Sequence, residues 1–377
     1  MKFSCNQDTF AKYLNVLSRV VNGKPGLPIL NNVLFDVSKN KVSMTATDLE
    51  ISLNCWIGAE VSQNGKTTIP AKQLSEFVNS IPAEKIDVSL SESVVNIETK
   101  NNVAKFNTIS PEDYLAVPTV KSSEKPILRL KKEDLLLAVH RVVFAAAHDD
   151  IKPVLTGVLI EISKDSISFV ATDGLRLSKQ ILNLSSGLDE DLQLLVPVKA
   201  FEELAKIVMD FTDDDDDEYV EVFYIKEKNQ VLFRYSDIDL VSRVIDGQFP
   251  EYKQIIPTGF QTSFEFKRAD FSNSLKVVNI IARNISGNKI EMDVQIKKSK
   301  VNLSAVQAEI GTNKSEFEIN GSGEDLKIGF SGKFLSDILN NVGEENLVFE
   351  ANTDVNPGVF KIKGDDTFLH LVMPMRL

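Results

Sequence analysis

Apolar residues recur at helical spacing in several segments of the chain. In the first segment, Phe10, Leu14 and Leu17 lie at i, i+4 and i+7 and form one apolar stripe. The same spacing predicts long helices over residues 8–21, 131–147 and 268–283. Further helices are predicted after Pro70, Pro197 and Gly332. The pattern therefore predicts six helices.

Alternating apolar and polar residues follow each long helix. Residues 32–37 and 157–162 alternate in this way and are rich in Val and Ile, which is typical of half-buried strands. Polar clusters at 38–40 and 163–165 predict turns after these strands. The order helix, strands, helix, strands predicts an α+β fold in which two helices pack on one face of an antiparallel sheet.

This order occurs three times, and short motifs recur with it. The Pro-x-Lys motif at Pro70 returns at Pro197, and the pair Thr47-Asp48 returns as Thr172-Asp173. Residues 301–309 and 327–338 are weaker third versions of the two motifs. The repeat is much longer than a solenoid unit of roughly 20–50 residues, so each copy is a small domain. We predict three similar domains at residues 1–125, 126–257 and 258–377.

Length and charge fit this division. A chain of 377 residues has room for roughly two to three domains. The net charge of −12 argues against non-specific nucleic-acid binding by bulk electrostatics, but it leaves room for a local basic surface. The acidic run at 213–217 is predicted to be a solvated loop tip. We predict a cytoplasmic protein without membrane segments, in which Cys5 and Cys55 are buried free thiols.

Basic residues collect on the polar faces of the predicted helices. Taken singly, each would be an ordinary solvated side chain. If three copies stack edge to edge, however, their helices line one concave surface suited to a polyanion. The residues concerned are Lys12, Arg19, Lys72, Lys199, Lys206, Lys276, Arg283 and Lys333.

The residues needed for common catalytic chemistry are missing. The histidines are His140, His148 and His370, and no pair has the spacing of a zinc helix. His140 falls on a mostly apolar helix face and is predicted to be structural. Neither a phosphate-binding glycine loop nor a nucleophile elbow occurs. We predict no catalytic residue, no metal site and no cofactor.

Two places break the threefold similarity. Gly174 replaces Leu49 of the first copy directly after the Thr-Asp pair. The C-terminal residues 371–377 are apolar almost to the end, and Pro374 should lead them out of any strand. Methionines around this proline suit an apolar surface that accepts different partners. Three hypotheses follow: a scaffold around a polyanion, an enzyme with Thr172 and Asp173 in a cleft, and a protein-only scaffold that recruits partners through its tail.

The chain as a whole resembles the beta subunit of bacterial DNA polymerase III, the family of replication sliding clamps. The resemblance covers the full length. It rests on Met1-Lys2-Phe3, Leu27-Pro28-Ile29-Leu30, Ala46-Thr47-Asp48-Leu49-Glu50, Ala171-Thr172-Asp173-Gly174, Asp246-Gly247-Gln248-Phe249-Pro250-Glu251-Tyr252 and Val372-Met373-Pro374-Met375-Arg376-Leu377.

The resemblance implies a non-catalytic processivity factor. Two chains would pair head to tail in a six-domain ring that has helices inside and sheets outside. Duplex DNA would thread the ring without regard to sequence. The partners implied are a clamp loader, the replicative polymerase alpha subunit and other proteins with short apolar clamp-binding motifs.

The resemblance also implies site residues. DNA contacts would include Lys24, Lys72 and Lys199, whereas Asp149, Pro153 and Val154 depart from the polar or aromatic residues of well-studied members. Exposed apolar residues at the dimer interface would be Phe106, Ile280 and Ile281. Lys152, Leu175 and Gln254 replace residues found in some members, which would shift the partner preference. The peptide-binding cleft would comprise Lys152, Leu155, Thr172, Gly174, Leu175, Leu177, Pro250, Gln254, Ile255, Leu371, Met373, Pro374, Met375, Arg376 and Leu377.

Overall fold

Six α-helices occur in the computed structural model, which describes residues 1–21, 26–39, 41–121, 123–149, 151–188, 190–211 and 218–377. They match the predicted positions, except that the third ends five residues early and continues as the 3-10 turn Val143–Ala145. The acidic run at 213–217 lies outside the described residues. The helices are α1 (Gln7–Val20), α2 (Ala71–Ser80), α3 (Lys132–Val142), α4 (Val198–Asp210), α5 (Arg268–Ala282) and α6 (Gly332–Asn341).

The strands fill the segments between the helices, and every strand pair is antiparallel among the described residues. The α+β prediction is therefore confirmed. The strands are β1 (Lys2–Asn6), β2 (Asn32–Ser38), β3 (Lys41–Thr47), β4 (Ile51–Gly58), β5 (Glu60–Gln63), β6 (Gly65–Pro70), β7 (Lys85–Ser91), β8 (Val94–Glu98), β9 (Val103–Asn107), β10 (Leu128–Lys131), β11 (Gly157–Ile162), β12 (Ile167–Thr172), β13 (Arg176–Leu182), β14 (Leu192–Pro197), β15 (Tyr219–Ile225), β16 (Gln230–Tyr235), β17 (Ile238–Arg243), β18 (Thr262–Lys267), β19 (Lys289–Gln295), β20 (Lys300–Gln307), β21 (Gly311–Glu318), β22 (Asn320–Gly323), β23 (Leu326–Ser331), β24 (Asn346–Ala351), β25 (Gly358–Ile362) and β26 (Asp365–Val372).

The chain divides into two compact units. Unit 1 comprises Met1–Lys132 and Lys199–Val244, and unit 2 comprises Glu133–Val198 and Ile245–Leu377. The second predicted domain thus contributes strands to both units. The division of the chain at residues 125 and 257 stays a prediction.

Unit 1 contains two sheets. The strand order is β5-β1-β7-β8-β9 in one and β10-β15-β16-β17-β4-β3-β2-β6 in the other. The second copy continues the sheet of the first copy where β17 pairs with β4, with Leu240 opposite Leu53. The predicted stripe of α1 is confirmed, because Phe10, Leu14 and Leu17 are completely buried. This burial removes the apolar face of the helix from water and holds it on the sheets.

Unit 2 is built in the same way. Its sheets have the orders β14-β11-β12-β13-β26-β25-β24-β18-β22 and β21-β20-β19-β23. Here the second copy joins the third through β13 and β26, with Leu177 opposite Leu371 and Ser178 opposite His370. A core of apolar side chains from both sheets, α5 and α6 lies between these layers.

His370 is the buried histidine of unit 2, and the prediction that His140 plays this role is wrong because His140 is exposed. The Nδ1 atom of His370 lies 2.6 Å from Ser178 Oγ, and the ring packs beside Phe144. Burial, helped by the nearby charge of Arg176, lowers the pKa of His370 to about 3. Cys5 and Cys55 are buried free thiols, as predicted, and burial raises the pKa of the Cys5 thiol to about 12.

The Thr-Asp pair is a repeated turn between strands. In the second copy, Asp173 Oδ1 accepts the backbone N–H groups of Leu175 and Arg176, both at 2.9 Å, and Thr172 Oγ1 donates to the carbonyl of Arg176. In the first copy, Asp48 Oδ1 accepts two N–H groups in the same way. The hydroxyl and carboxyl groups are therefore used to close a turn, which removes the basis for Thr172 and Asp173 as nucleophile and base.

The third residue of this turn needs a left-handed backbone. Its φ is +91° at Gly174 and +79° at Leu49. A Cβ atom at Gly174 would have room, since its nearest neighbour would be Leu155 Cδ1 at 4.0 Å. The glycine thus relieves backbone strain that Leu49 retains in the first copy.

We expect the His370→Asn variant to reduce the acid sensitivity of unit 2. The unfolded chain binds a proton at His370 below about pH 6.5, whereas the folded chain resists protonation until about pH 3, so stability is lost as the pH falls through this window. Between pH 7 and pH 5, this difference amounts to roughly 2 kcal/mol in the free energy of unfolding. Urea unfolding at both pH values measures it, with the exposed His140→Asn as control. Equal acid sensitivity of wild type and His370→Asn would contradict the prediction.

The two turns predict opposite responses to exchange of their third residue. Leu49→Gly should raise the free energy of unfolding by about 1 kcal/mol, because glycine adopts this φ without strain. Gly174→Leu should lower it by a similar amount. Urea unfolding of both variants provides the measurement. The same sign of change for both would rule out backbone strain as the cause.

Candidate peptide-binding site

The C-terminal tail leaves β26 and crosses from one sheet of unit 2 to the other. The N–H of Met373 donates to the carbonyl of Leu175 at 2.8 Å, and the N–H of Met375 donates to the carbonyl of Gly329 at 2.8 Å. Pro374 lies between these two bonds and has no N–H to donate. The predicted exit from the strand at Pro374 is thus confirmed, and the tail is fixed beside the turn at Gly174.

Close contacts with the tail require glycine at two positions, one on β23 and one in the turn before β19. A Cβ atom at Gly329 would lie 2.7 Å from the carbonyl oxygen of Met375, and one at Gly287 would lie 2.6 Å from its Cε. Lys289 Nζ donates to the carbonyl of Arg376 at 3.1 Å. The last residues therefore lie along the sheet surface, and Leu377 remains 49% exposed.

The inner part of the predicted cleft is an apolar floor. Leu177 and Leu371 face each other across the β13–β26 pair and are completely buried. They pack with Phe249 and Tyr252, and half-buried Met373 and Val154 cover this cluster. Leu155 is also buried. Leu177 and Leu371 therefore support the predicted cleft from the core, and the half-buried Met373 and Val154 are the members of this cluster that a ligand can reach.

The outer part of the cleft is exposed. Leu175 is 58% exposed and Ile255 is 47% exposed, which are high values for large apolar side chains. A pocket of about 390 Å³ opens beside Leu155, Leu175 and Lys152, and Phe334 and Lys333 of α6 form its far wall. Apolar floor and exposed apolar rim together suit an extended peptide with apolar side chains.

The segment carrying Pro250, Gln254 and Ile255 is anchored by Tyr252. The Tyr252 hydroxyl donates to Glu161 Oε2 at 2.5 Å, and Lys253 Nζ lies 3.0 Å from Oε1 of the same carboxylate. Burial, together with this bond, raises the pKa of Tyr252, so its hydroxyl stays a donor. Pro250 and Gln254 are exposed, and none of the pocket-lining residues comes from this segment.

The predicted site residues do not include Arg176, Tyr252 or Phe334, although the first two lie within the motifs that mark the site. Arg176 is 3% exposed and donates through Nε to Asp173 Oδ2 at 3.0 Å and through Nη1 to Asp337 Oδ2 on α6. Its guanidinium lies 4.5 Å from the ring centroid of Phe334. The available signal was a charged residue where the first copy has Ile51, a position that the alternating pattern marks as buried.

Most of the predicted DNA-facing residues are exposed, but three are only partly so. Lys72, Lys206, Lys276 and Lys333 are exposed on their helices, and Arg283 is exposed directly after α5. The half-buried Arg19 bonds to Glu203 at 2.7 Å and to Asp210 at 2.6 Å, and the half-buried Lys12 lies 4.0 Å above the ring of Phe211. Lys24 lies outside the described residues.

Lys199 is also held by carboxylates, namely those of Asp48 and Glu50. Burial opposes its charge, but the bonds to Asp48 outweigh this effect and raise the pKa of Lys199. Lys199 and Arg19 therefore already have anionic partners within unit 1.

The predicted interface residues differ in exposure. Ile280 is 67% exposed on α5, and Phe106 is half-buried against Phe77. Ile281 is 8% exposed and packs in the core of unit 2, so the expectation that it is exposed is wrong. The helical period turns Ile281 inward when Ile280 points outward.

Across the described residues, His, Cys, Asp and Glu side chains nowhere form a group of three or more that could hold a metal ion. Within the same residues, no helix is both long and apolar enough to span a membrane.

Comparison with known proteins covers the whole chain. Family models of the DNA polymerase III beta subunit match in chain order: the N-terminal domain at residues 1–118, the central domain at 129–251 and the C-terminal domain at 253–376. A beta sliding clamp from Staphylococcus epidermidis is 28% identical and is covered over 99% of its length by 100% of this chain.

Solved structures are similar over the same extent. The DNA polymerase III beta subunit of Thermotoga maritima has a TM-score of 0.89 at 26% identity, with 100% of this chain and 99% of that chain covered. A sliding clamp from Pseudomonas aeruginosa bound to griselimycin has a TM-score of 0.91 at 25% identity, with both chains fully covered. The chain thus belongs to the DNA polymerase III beta subunit family and is a sliding clamp, a processivity factor of the polymerase without catalytic activity of its own.

Proposed function

We propose that two copies of the chain close head to tail into a ring of six domains, bounded in each copy at residues 125 and 257, that encircles duplex DNA. The ring tethers the replicative polymerase alpha subunit and other proteins with short apolar motifs through the cleft described above, and a clamp loader places it on DNA in the cytoplasm. The Thermotoga, Pseudomonas and Staphylococcus relatives, which match over the full chain, support this assignment.

The open sheet edges are the observation that best supports the ring. In unit 1, β9 ends the order β5-β1-β7-β8-β9, and Val103 on it is 65% exposed. In unit 2, β21 ends the order β21-β20-β19-β23, and Ile280 and Ile310 nearby are 67% and 56% exposed. Unpaired strands flanked by apolar side chains are templates for pairing with another chain. Pairing β9 of one chain with β21 of the other would cover both edges at two equivalent seams.

The helix faces support weak, sliding contact with DNA. Their exposed lysines and arginines can neutralise phosphates without reading bases. Arg19 and Lys199 are already neutralised by carboxylates, which limits the attraction. A net charge of −12 reduces it further. Such a surface would slide readily along DNA if ring closure, and not charge, prevents escape.

The cleft supports exchange among partners. A peptide that buries apolar side chains against the half-buried Met373 and Val154 must become ordered, which offsets part of the gain from burial. Exposed Leu175 and Ile255 extend the apolar surface at the rim. Partners with modest affinity can therefore replace one another.

Topological binding is tested on circular duplex DNA. Protein placed on the circle by the cognate loader should stay bound as salt is raised and leave when the circle is cut, because closure and not phosphate attraction holds it. Retention is measured by gel filtration of the DNA. Release from the intact circle by salt alone would contradict the ring.

Individual lysines should contribute unequally to DNA binding. Lys72→Gln should reduce the slope of log K against log salt on linear duplex by about 1, because an exposed lysine releases a counterion from each phosphate that it contacts. Lys199→Gln is the matched variant at the equivalent helix position. It should leave the slope unchanged, because Asp48 already holds this ammonium. A lower slope in Lys199→Gln together with an unchanged slope in Lys72→Gln would refute the assignment of these helix faces to DNA.

Removal of Met373–Leu377 should abolish binding of a polymerase peptide but leave the dimer intact. The probe is the tightest of a set of overlapping peptides that tile the same organism's alpha subunit, measured by fluorescence anisotropy. Met209→Ser, at an exposed methionine of unit 1, serves as control. Unchanged affinity of the truncated chain for the peptide would show that the peptide does not bind in the proposed cleft.

Ile280→Asp should convert the dimer to monomers, because a charge would be buried at the seam without a partner. Phe106→Ala should weaken the dimer to a smaller extent. Sedimentation measures both, and Val355→Asp, at another exposed apolar position of unit 2, is the control. An unaltered dimer in the Ile280→Asp variant would show that Ile280 lies outside the dimer interface.

A further inference from the structure

The two Thr-Asp turns are closed by the same hydrogen bonds but are attached to their neighbouring helices differently. In the first copy, the outer oxygen Oδ2 of Asp48 bonds directly to Lys199, the second residue of α4. The corresponding residue in unit 2 is Lys333, the second residue of α6. Within the described part of the chain, no carboxylate lies within ion-pair distance of Lys333, which is exposed.

In unit 2, Arg176 links the turn to the helix. Its Nε donates to the outer oxygen Oδ2 of Asp173, and its Nη1 donates to Asp337, one helical turn beyond Lys333 on α6. The guanidinium also stacks against Phe334 of the same helix. Position 176 corresponds to Ile51 in the first copy, which is buried and apolar. One arginine therefore replaces a direct aspartate–lysine pair by an aspartate–arginine–aspartate chain.

This replacement has two consequences at neighbouring places. The turn that presents Gly174 and Leu175 becomes attached to α6 through a buried planar cation, which bonds two carboxylates in a fixed geometry. At the same time, Lys333 is released from the role that Lys199 has in unit 1. Its ammonium stays exposed on the helix face.

We propose that Arg176 is a positioning residue that fixes the peptide-binding turn 172–176 and leaves Lys333 available to DNA phosphate; this rests on the cleft and the DNA face of the proposed function. The pocket lined by Asp173, Arg176 and Lys333 places all three side chains around one space. Lys333 is therefore a reserve partner for Asp173. When Arg176 is removed, Lys333 takes over the direct pair found in unit 1.

The test combines two substitutions and two measurements. Arg176→Ile copies the first repeat, Lys333→Met removes the reserve partner, and the double variant has neither. Peptide affinity is measured with the polymerase peptide defined above. The backbone amides of residues 175 and 176 donate to Asp173 Oδ1. Their rate of hydrogen exchange therefore measures the stability of the turn without any ligand.

Because Lys333 lines the pocket, the Lys333→Met variant sets the reference affinity. Removing Arg176 should weaken peptide binding more in this Lys333→Met background than in the wild type. The double variant should bind the peptide about tenfold more weakly than Lys333→Met, the effect of losing one charged hydrogen bond, and its two amides should exchange faster. Arg176→Ile should also lower the salt slope for linear DNA as Lys333→Met does, because Lys333 then pairs with Asp173.

The matched control is Arg141→Met. Arg141 is an equally buried arginine of unit 2 that bonds to Gln180 at 2.8 Å and to Glu344, and none of its bonds involves the turn. It should lower stability without changing peptide affinity or exchange at residues 175 and 176.

The outcomes separate the inference from the function on which it rests. If the wild-type chain binds no polymerase peptide, the proposed cleft fails, whatever the exchange data are. If the wild type binds and the double variant binds as well as Lys333→Met, the positioning role of Arg176 is overturned, even if its amides exchange faster. A wild-type salt slope in Arg176→Ile overturns the release of Lys333.

Discussion

The antiparallel pairing of β13 with β26 is the interaction on which the candidate site depends. It joins strands more than 180 residues apart in sequence, with Leu177 opposite Leu371 and Arg176 opposite Val372. Because side chains alternate between the two faces of a strand, this register places both leucines in one apolar cluster. A shift by one residue would turn them to the other face and remove the floor of the cleft. The same pairing brings the tail past the turn at Gly174.

Buried polar groups make this register specific. Ser178 and His370 bond to each other only in the observed alignment, and Arg176 bridges Asp173 and Asp337 only where β13 begins. In any other alignment, these buried groups would lose their hydrogen-bond partners. This would cost free energy, because no water replaces the lost bonds. Apolar contacts thus supply most of the driving force, and the polar pairs select one alignment among several that would bury similar area.

The basic residues on the helix faces differ in whether a carboxylate of the chain pairs with them. Arg19 and Lys199 hold neighbouring elements together through carboxylates, whereas Lys72 and Lys333 at equivalent helix starts remain exposed. The same residue type at the same repeat position therefore has different roles in different copies. Helical spacing identifies the polar face, but it does not distinguish a paired lysine from a free one.

The amino-acid sequence alone determined the α+β class, the six helices and the three repeats, because these follow from local periodicity and from recurring motifs. It also marked Gly174 and Pro374, whose backbone preferences are intrinsic to the residue. Only the tertiary structure decided that His370 and not His140 is buried, that Ile281 points inward, and that Arg176 replaces a lysine pair. These outcomes depend on which distant segment supplies the neighbour, and the spacing of residues along one segment carries no information about that neighbour.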